Sequence, residues 1–354
     1  MSASTKELGI ISQENRRRPR LKDVAELAGV SVQTVSNVVN SRDFLMTPET
    51  QQRVREAMQA LGYHPNSQAR GLRSRKLYTL AFLLLDDDPR YLSDPMTDLI
   101  ISGVGAVARD RGYMVLVHAA GSEQFDYGLL DPLQQNRADG ALLMLSGPPA
   151  LRSRYLHEVQ QLTPNFVIFE DVDNPAVTSV TANNRQGAHD MTRRLIDAGH
   201  RRIAFIGSAI SWPMIEQRLA GYKSALAQAG IAFDPALTRF EGEWHAATGA
   251  QLVAQLCEEA DPPTALLAGN DLLAAGAIKA LKERGLRIPE DFAVAGFNNF
   301  EFSEYTDPPL TTLQVPGFEI GSLAATKLID RIEGKDDEAT ATVLPVEIVP
   351  RGSA

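Results

Sequence analysis

Two kinds of hydrophobic pattern divide the chain near residue 76. Before it, apolar residues recur only at helical spacing. In LKDVAELAGVSVQTVSNVVN, residues 21–40, Val24, Ala25, Leu27 and Ala28 make an apolar face, with Asp23 and Glu26 outward. Gly29 stops that helix, Val30 packs beneath the turn, and Ser31 caps a second helix that starts at Val32. Along the second helix Val35, Val38 and Val39 point inward at i, i+3 and i+4, and Val32, Gln33, Ser36 and Asn37 stay outside. A third helix opens with Thr47 as cap and Pro48 at its first position, then runs through Val54, Ala57, Met58 and Leu61. Three such helices bury one small core, and two of them joined by a tight turn are a device for reading DNA.

After residue 76 short apolar runs alternate with amphipathic stretches. Strands are expected over 79–85, 114–117, 141–145, 166–169, 203–206, 265–268 and 292–295, with helices between them, for example 96–111, 185–198, 217–229 and 271–284. Strand then helix, repeated, means parallel sheets covered on both faces, and the length of this part suits two such sheets. Ligands in such folds sit beyond the carboxyl ends of the strands.

Charge divides the chain at the same place. Residues 1–76 hold 13 Lys and Arg against 7 Asp and Glu, whereas the whole chain is at −9, so a basic front is joined to an acidic body. A basic front neutralises phosphates by releasing their counterions, and an acidic body discourages DNA from binding elsewhere.

The run from Leu21 to Leu72 resembles the headpiece of the lactose-repressor/galactose-repressor (LacI/GalR) family of bacterial transcription regulators. It carries DVAELAGVS, TVSNVVN, a third helix ending LGYHPN, and ARGL, in that family's order and spacing. The resemblance implies DNA contacts from Lys22, Ser31, Val32, Gln33, Thr34, Ser36, Asn37 and Asn40. Gln33 suits adenine and Val32 a thymine methyl group. Asn37 stands where many members carry arginine, so a borrowed operator sequence does not transfer. Further contacts are implied from Asn66, Ala69, Arg70, Leu72 and Arg73, in a hinge helix that folds on DNA and wedges Leu72 between base pairs. The implied organisation is a flexible basic tail over 1–19, an all-α helix-turn-helix headpiece over 20–64, a hinge helix over 65–76 and an effector-binding, dimerising core over 77–354. That core is expected to be periplasmic-binding-protein-like, with two doubly wound parallel-sheet subdomains, one near 77–180 and 312–340, the other near 181–311 and 341–354.

For the effector site the resemblance points to Arg218, which begins RLAGY at a supposed helix start, and to Trp244, whose indole face suits a pyranose. It also points to Asn270 and Asp271 in AGNDLLAAG, where Asp271 either binds ligand or caps the helix, and to Asn298, where several sugar-binding members carry aspartate. Glu170 and the loop 86–94 are lesser candidates, and Trp212 with Met214 makes one wall apolar. The implied partners are operator DNA, a small sugar or sugar-derived effector and a second copy of the chain. The ending VLPVEIVPRGSA lacks a heptad repeat, which favours a dimer over a tetramer.

Other classes fare worse. Among 354 residues no apolar run is long enough to span a membrane, and the first twenty residues lack a secretory h-region, so a cytoplasmic protein is expected. The single cysteine, Cys257, reads as a structural helix residue. Asp86–Asp88 lack the threonine of a phosphotransfer site, and Gly103, Gly105 and Ala108 spell GxGxxA inside a helix rather than at a strand end. The six histidines are scattered, leaving a metal site nothing to build on, and no G-x-S-x-G elbow occurs. No enzyme and no cofactor is expected. The alternative is a sugar-binding or sugar-processing body whose helical head makes a non-DNA contact, but such a head has no use for Leu72 beside a run of arginines.

Overall fold

The computed structural model describes residues 19–39, 45–63, 76–88, 90–121, 124–169, 177–336 and 338–354. It divides into two units, Met1–Lys76 and Leu77–Ala354. Asn40, Asn66, Ala69, Arg70, Leu72, Arg73, Glu170 and nearly all of the expected hinge lie outside the described residues.

The first unit holds α1 (Leu21–Ala28), α2 (Val32–Val39) and α3 (Pro48–Leu61). Gly29 sits at φ 63°, and the N–H groups of Gly29 and Val30 donate to the carbonyls of Glu26 and Ala25 at 3.3 and 3.0 Å. That double bond closes the end of α1, and only a residue free of a Cβ takes this backbone cheaply. Ser31 Oγ accepts from Thr34 N–H at 3.0 Å and caps α2, and Thr47 caps α3 with Pro48 at its first position, as expected. Val24, Ala25, Ala28, Val35, Val38, Val54 and Ala57 form the core. Two positions differ from expectation. Leu27 is 56% exposed, because a helical step of about 100° from Ala28 carries it off the face that Val24, Ala25 and Ala28 share. Ser36 is only 6% exposed, since the angular step from Val35 leaves it within the same contact face.

The second unit contains β1 (Thr79–Leu85), α4 (Pro95–Asp110), β2 (Met114–Ala120), a one-turn α5 (Asp131–Gln134), β3 (Gly140–Leu145), α6 (Pro149–Leu162), β4 (Phe166–Ile168) and β5 (Ser179–Ala182). Next come α7 (Asn184–Asp197), β6 (Ile203–Gly207), α8 (Pro213–Gln228), β7 (Thr238–Phe240), α9 (Ala246–Cys257), β8 (Ala265–Ala268), α10 (Asp271–Glu283) and β9 (Ala293–Ala295). The chain ends with β10 (Thr312–Gln314), α11 (Gly317–Ile332), β11 (Ala341–Leu344) and β12 (Glu347–Val349). A six-stranded parallel sheet runs β11-β5-β4-β3-β1-β2 and defines the first lobe. A four-stranded parallel sheet, β7-β6-β8-β9, defines the second. Both sheets are covered by helices, which is why β1, β3, β6 and β8 are buried along their whole length.

The crossovers correct the expected subdomain limits. β10 pairs antiparallel with β12 and reaches β9 and its following loop through Ala295–Thr311 and Asn298–Gln314 bridges, so residues 312–314 belong to the second lobe. β11 pairs with β5, so residues 341–344 belong to the first, and only the segment after them returns to the second. Each strand completes its ladder before the chain changes lobe, because a half-paired buried strand would leave backbone groups unsatisfied. Pro316 and Pro345, which cannot continue a ladder, stand at the two later crossings.

Reciprocal close approaches join the helices. A Cβ on Gly103 would meet Phe318 O at 2.1 Å, and one on Gly321 would meet Ile100 O at 2.0 Å, where α4 crosses α11. Gly249 and Gly276 do the same where α9 crosses α10. Gly103 of the GxGxxA run is thus a helix-packing notch.

Candidate functional site

In the headpiece the outer edge of α2 presents Val32 and Gln33, with Asn37 half-buried beside them. Gln33 Nε2 donates to Asn37 Oδ1 at 3.1 Å across one turn, so the expected departure from arginine has a structural role: it braces the neighbouring amide. Ser31 and Thr34 hydroxyls bond each other at 2.9 Å at the helix start, and Lys22 is exposed beside Glu26. Ser36 faces the helical core and is not part of this surface.

In the body a cavity of about 270 Å³ lies between the lobes. The first lobe gives it the loop after β1, with Asp86, Asp88, Arg90, Tyr91 and Asp94, and also Met96 and Met144. The second gives Ile210, Trp212, Met214, Arg218, Glu243, Trp244, His245, Asn270, Leu272 and Asn298. Of the expected residues, Arg218, Trp244, Asn270, Asn298 and Trp212 line it, and Asp271 does not.

Arg218 is not at a helix start. It lies in the second turn of α8, 4% exposed, with its guanidinium 3.6 Å from the centre of the Phe297 ring. Its Nε donates to Asn184 Oδ1 at 2.9 Å, Nη1 to Gly269 O at 2.5 Å and Nη2 to Asn298 Oδ1 at 3.0 Å. Among the described residues no carboxylate pairs with it directly. Burial pushes it down to about 9, against the pull of Asp271 and Asp94.

Asn270 supplies the cap of α10, accepting from Leu273 N–H at 2.9 Å. Asp271 neither caps nor faces the cavity: its carboxylate is fully buried and accepts from Phe300 N–H at 2.8 Å, Ser303 Oγ at 2.9 Å and Thr312 Oγ1. One carboxylate on the helix start therefore ties down the loop after β9 and the beginning of β10. Burial raises it to about 6. Asn298 holds φ 106°, a backbone that asparagine tolerates better than most. Trp244 packs against Gly269, and its buried Nε1–H has no hydrogen-bond partner among the described residues.

The lobes also grip each other. At the mouth Arg90 Nη2 lies 3.3 Å from Glu243 Oε2, and His245 Nε2 lies 3.4 Å from Asp88 Oδ2 and 3.0 Å from Glu243 Oε2. On the other side Arg152, 5% exposed, meets both oxygens of Glu216 at 3.1 Å, and Gly147 N–H donates to Ser211 O at 2.7 Å. Asp88, Glu243 and His245 do come together, although the histidines are scattered in sequence. The Arg90 guanidinium is bonded to the same three side chains and supplies the positive charge they share. Sequence reasoning reached the loop 86–94 only as a weak candidate and missed Glu243 and His245, whose one signal was their place beside Trp244.

A three-helix headpiece with a capped recognition helix, together with a two-lobed α/β body enclosing a cleft, defines a DNA-binding regulator that senses a small molecule. Comparison with known proteins gives the same class. Residues 20–66 match the model of bacterial regulatory proteins of the lacI family, and residues 192–354 that of the periplasmic binding protein-like domain. The chain is 31% identical over 334 residues to the HTH-type transcriptional repressor CytR of Escherichia coli (strain K12), covering 94% of this chain and 95% of that protein. The structure of a transcriptional regulator CelR–cellobiose complex is similar at TM-score 0.70 and 31% identity, covering 95% of this chain and all of the other. That of the lac repressor dimer bound to operator and the anti-inducer ONPF is similar at TM-score 0.80 and 26% identity, covering 95% and 99%. The chain belongs to the lacI family of bacterial regulatory proteins; it is a transcription regulator and not an enzyme. Among the described residues no helix is long and apolar enough to cross a membrane.

Proposed function

We propose that this regulator is a cytoplasmic repressor that binds a nearly palindromic operator as a dimer and is modulated by a sugar or sugar-derived effector held between its lobes. The observation that carries the effector half is the cleft itself, where Arg218, Asn270 and Asn298 converge beside Trp212 and Trp244. One headpiece buries too little surface to be selective, so two recognition helices act together. Val32, Gln33 and Asn37 read bases, Lys22, Ser31 and Thr34 approach phosphates, Asn40 adds a further headpiece contact, and Asn66, Ala69, Arg70, Leu72 and Arg73 complete the contact through the hinge.

Effector binding changes the balance between lobe arrangements, and with it the spacing of the two hinges. It does so only as far as the effector prefers one arrangement. The Arg90–Glu243 and Arg152–Glu216 contacts are the cross-lobe bonds that such a movement makes or breaks. The test is selection of genomic fragments by the full-length protein at near-physiological salt. A recurrent palindromic site, released or tightened by a sugar and relaxed at one base pair on Gln33→Ala, is expected. Equal retention of all fragments with every sugar tried overturns the reading.

A further inference from the structure

The cleft's charges do not suit every sugar derivative. Asp86, Asp88, Asp94 and Glu243 line it, against the fixed cations Arg90 and Arg218. Arg90 is committed to Asp88 and Glu243 at the mouth. Arg218 spends three of its five donors, one from each nitrogen, on neutral protein acceptors, and Asp271 and Asp94 already offset its charge, which leaves less of it for an anion. That leaves Asp86 and Asp94 as the charges of the inner wall. Asp86 accepts from Asp88 N–H at 3.0 Å, and Asp94 accepts at Oδ2 from Thr97 N–H and Oγ1, at 3.1 and 3.0 Å. A phosphate or carboxylate entering here meets carboxylates in a largely apolar cleft, whereas a hydroxyl donates to them. Burial already raises both carboxyls, Asp86 to about 6.

Much of the remaining wall is apolar. A second cavity of about 50 Å³, the inner cavity, shares Met96, Met144, Trp212 and Met214 with the first and is also lined by Phe169 and Val315. Among the described residues no charged group other than Arg218 lines it.

We infer that the cleft selects an uncharged glycoside whose apolar substituent enters the inner cavity, and that Asp86 and Asp94 are the residues that turn away phosphorylated and carboxylated sugars. This rests on the proposed sugar-binding reading of the cleft. It goes further in naming which sugars are admitted and which side chains decide.

The experiment is a thermal-shift titration of the full-length protein with methyl and phenyl glycosides of glucose, galactose, mannose and xylose. The hexose 6-phosphates, glucuronate and inorganic phosphate are tested beside them, with sodium chloride matching ionic strength. A neutral glycoside is expected to raise the melting temperature, the phenyl form binding about 10-fold or more tighter than the methyl form. The anionic sugars and inorganic phosphate are expected to do no more than the chloride control. Asp86→Asn is expected to improve the ratio of anionic to neutral affinity by about 10-fold, because it removes a charge and keeps a hydrogen-bonding group. Saturable stabilisation by inorganic phosphate or a sugar phosphate, a phenyl form no better than its methyl partner, or an unchanged ratio in Asp86→Asn overturns the inference and leaves the sugar reading standing. A flat response to every glycoside overturns the sugar reading, and the inference with it.

Discussion

Arg218 and Asn298, eighty positions apart, meet through a 3.0 Å bond from Nη2 to Oδ1 inside the second lobe. The bond ties the middle of α8 to the loop after β9, beneath the cleft. Asn298→Ala removes the acceptor, strains a left-handed backbone and leaves a buried guanidinium N–H unpaired. A loss of about 1.5–3 kcal/mol in urea unfolding is expected. Asn298→Asp, which pairs the charge, is expected to lose less. Equal losses in the two variants would show that the bond matters little.

Helix crossing at Gly103 and Gly321 sets a second expectation. Gly103→Ala places a methyl group 2.1 Å from the Phe318 carbonyl, which is backbone and cannot swing aside. A destabilisation of about 1–3 kcal/mol is expected. Gly105→Ala, at a position with open space, is the control and is expected to be neutral or slightly stabilising. Calorimetry on both variants checks the pair.

The raised carboxyls give a pH dependence of definite sign. Asp86 and Asp271 ionise near 6 in the folded protein, against 3.8 ordinarily, with burial as the main cause. Between those values the folded protein holds protons that the unfolded chain has released. The stability they contribute is therefore complete below about pH 4 and is lost as pH rises through about 6. Asp86→Asn removes its share, so the stability of the natural protein relative to this variant is expected to increase as pH is lowered from 7 to 4. Urea midpoints across that range, flat in their difference, would refute it.

In the headpiece, Gln33→Ala is expected to cost about 1–3 kcal/mol of discrimination at one base pair. Asn37→Ala is expected to weaken the base preference of Gln33 as well as its own, because it unbraces the Gln33 amide. Lys22→Ala is expected to weaken all sites alike and lower the salt dependence by about one counterion. Binding to a selected operator and its single-base variants, at two salt concentrations, separates the three.

The headpiece was legible in the letters because its signals are local. Gly29, Ser31, Thr47 and Pro48 punctuate helices within a few residues of where they act, and the inward valines follow from helical spacing alone. The buried strands β1, β3, β6 and β8 were legible for a similar reason, as short apolar runs between helical stretches. β5 and β7 were missed: β5 mixes Ser and Thr with its apolar residues, and β7 has only three residues, partly exposed.

The amino-acid order by itself determined the helix-turn-helix, the parallel α/β body and the basic-to-acidic division, since each depends on neighbours in the chain or on composition. Tertiary structure alone decided that Asp271 secures the β10 crossover, that Asp88 and Arg90 meet Glu243 and His245 across some 155 positions, and that Gly103 is a packing notch. Those roles depend on which surfaces the two lobes bring together. A carboxylate carries no mark in sequence of whether it will face a ligand, a hydroxyl or a guanidinium.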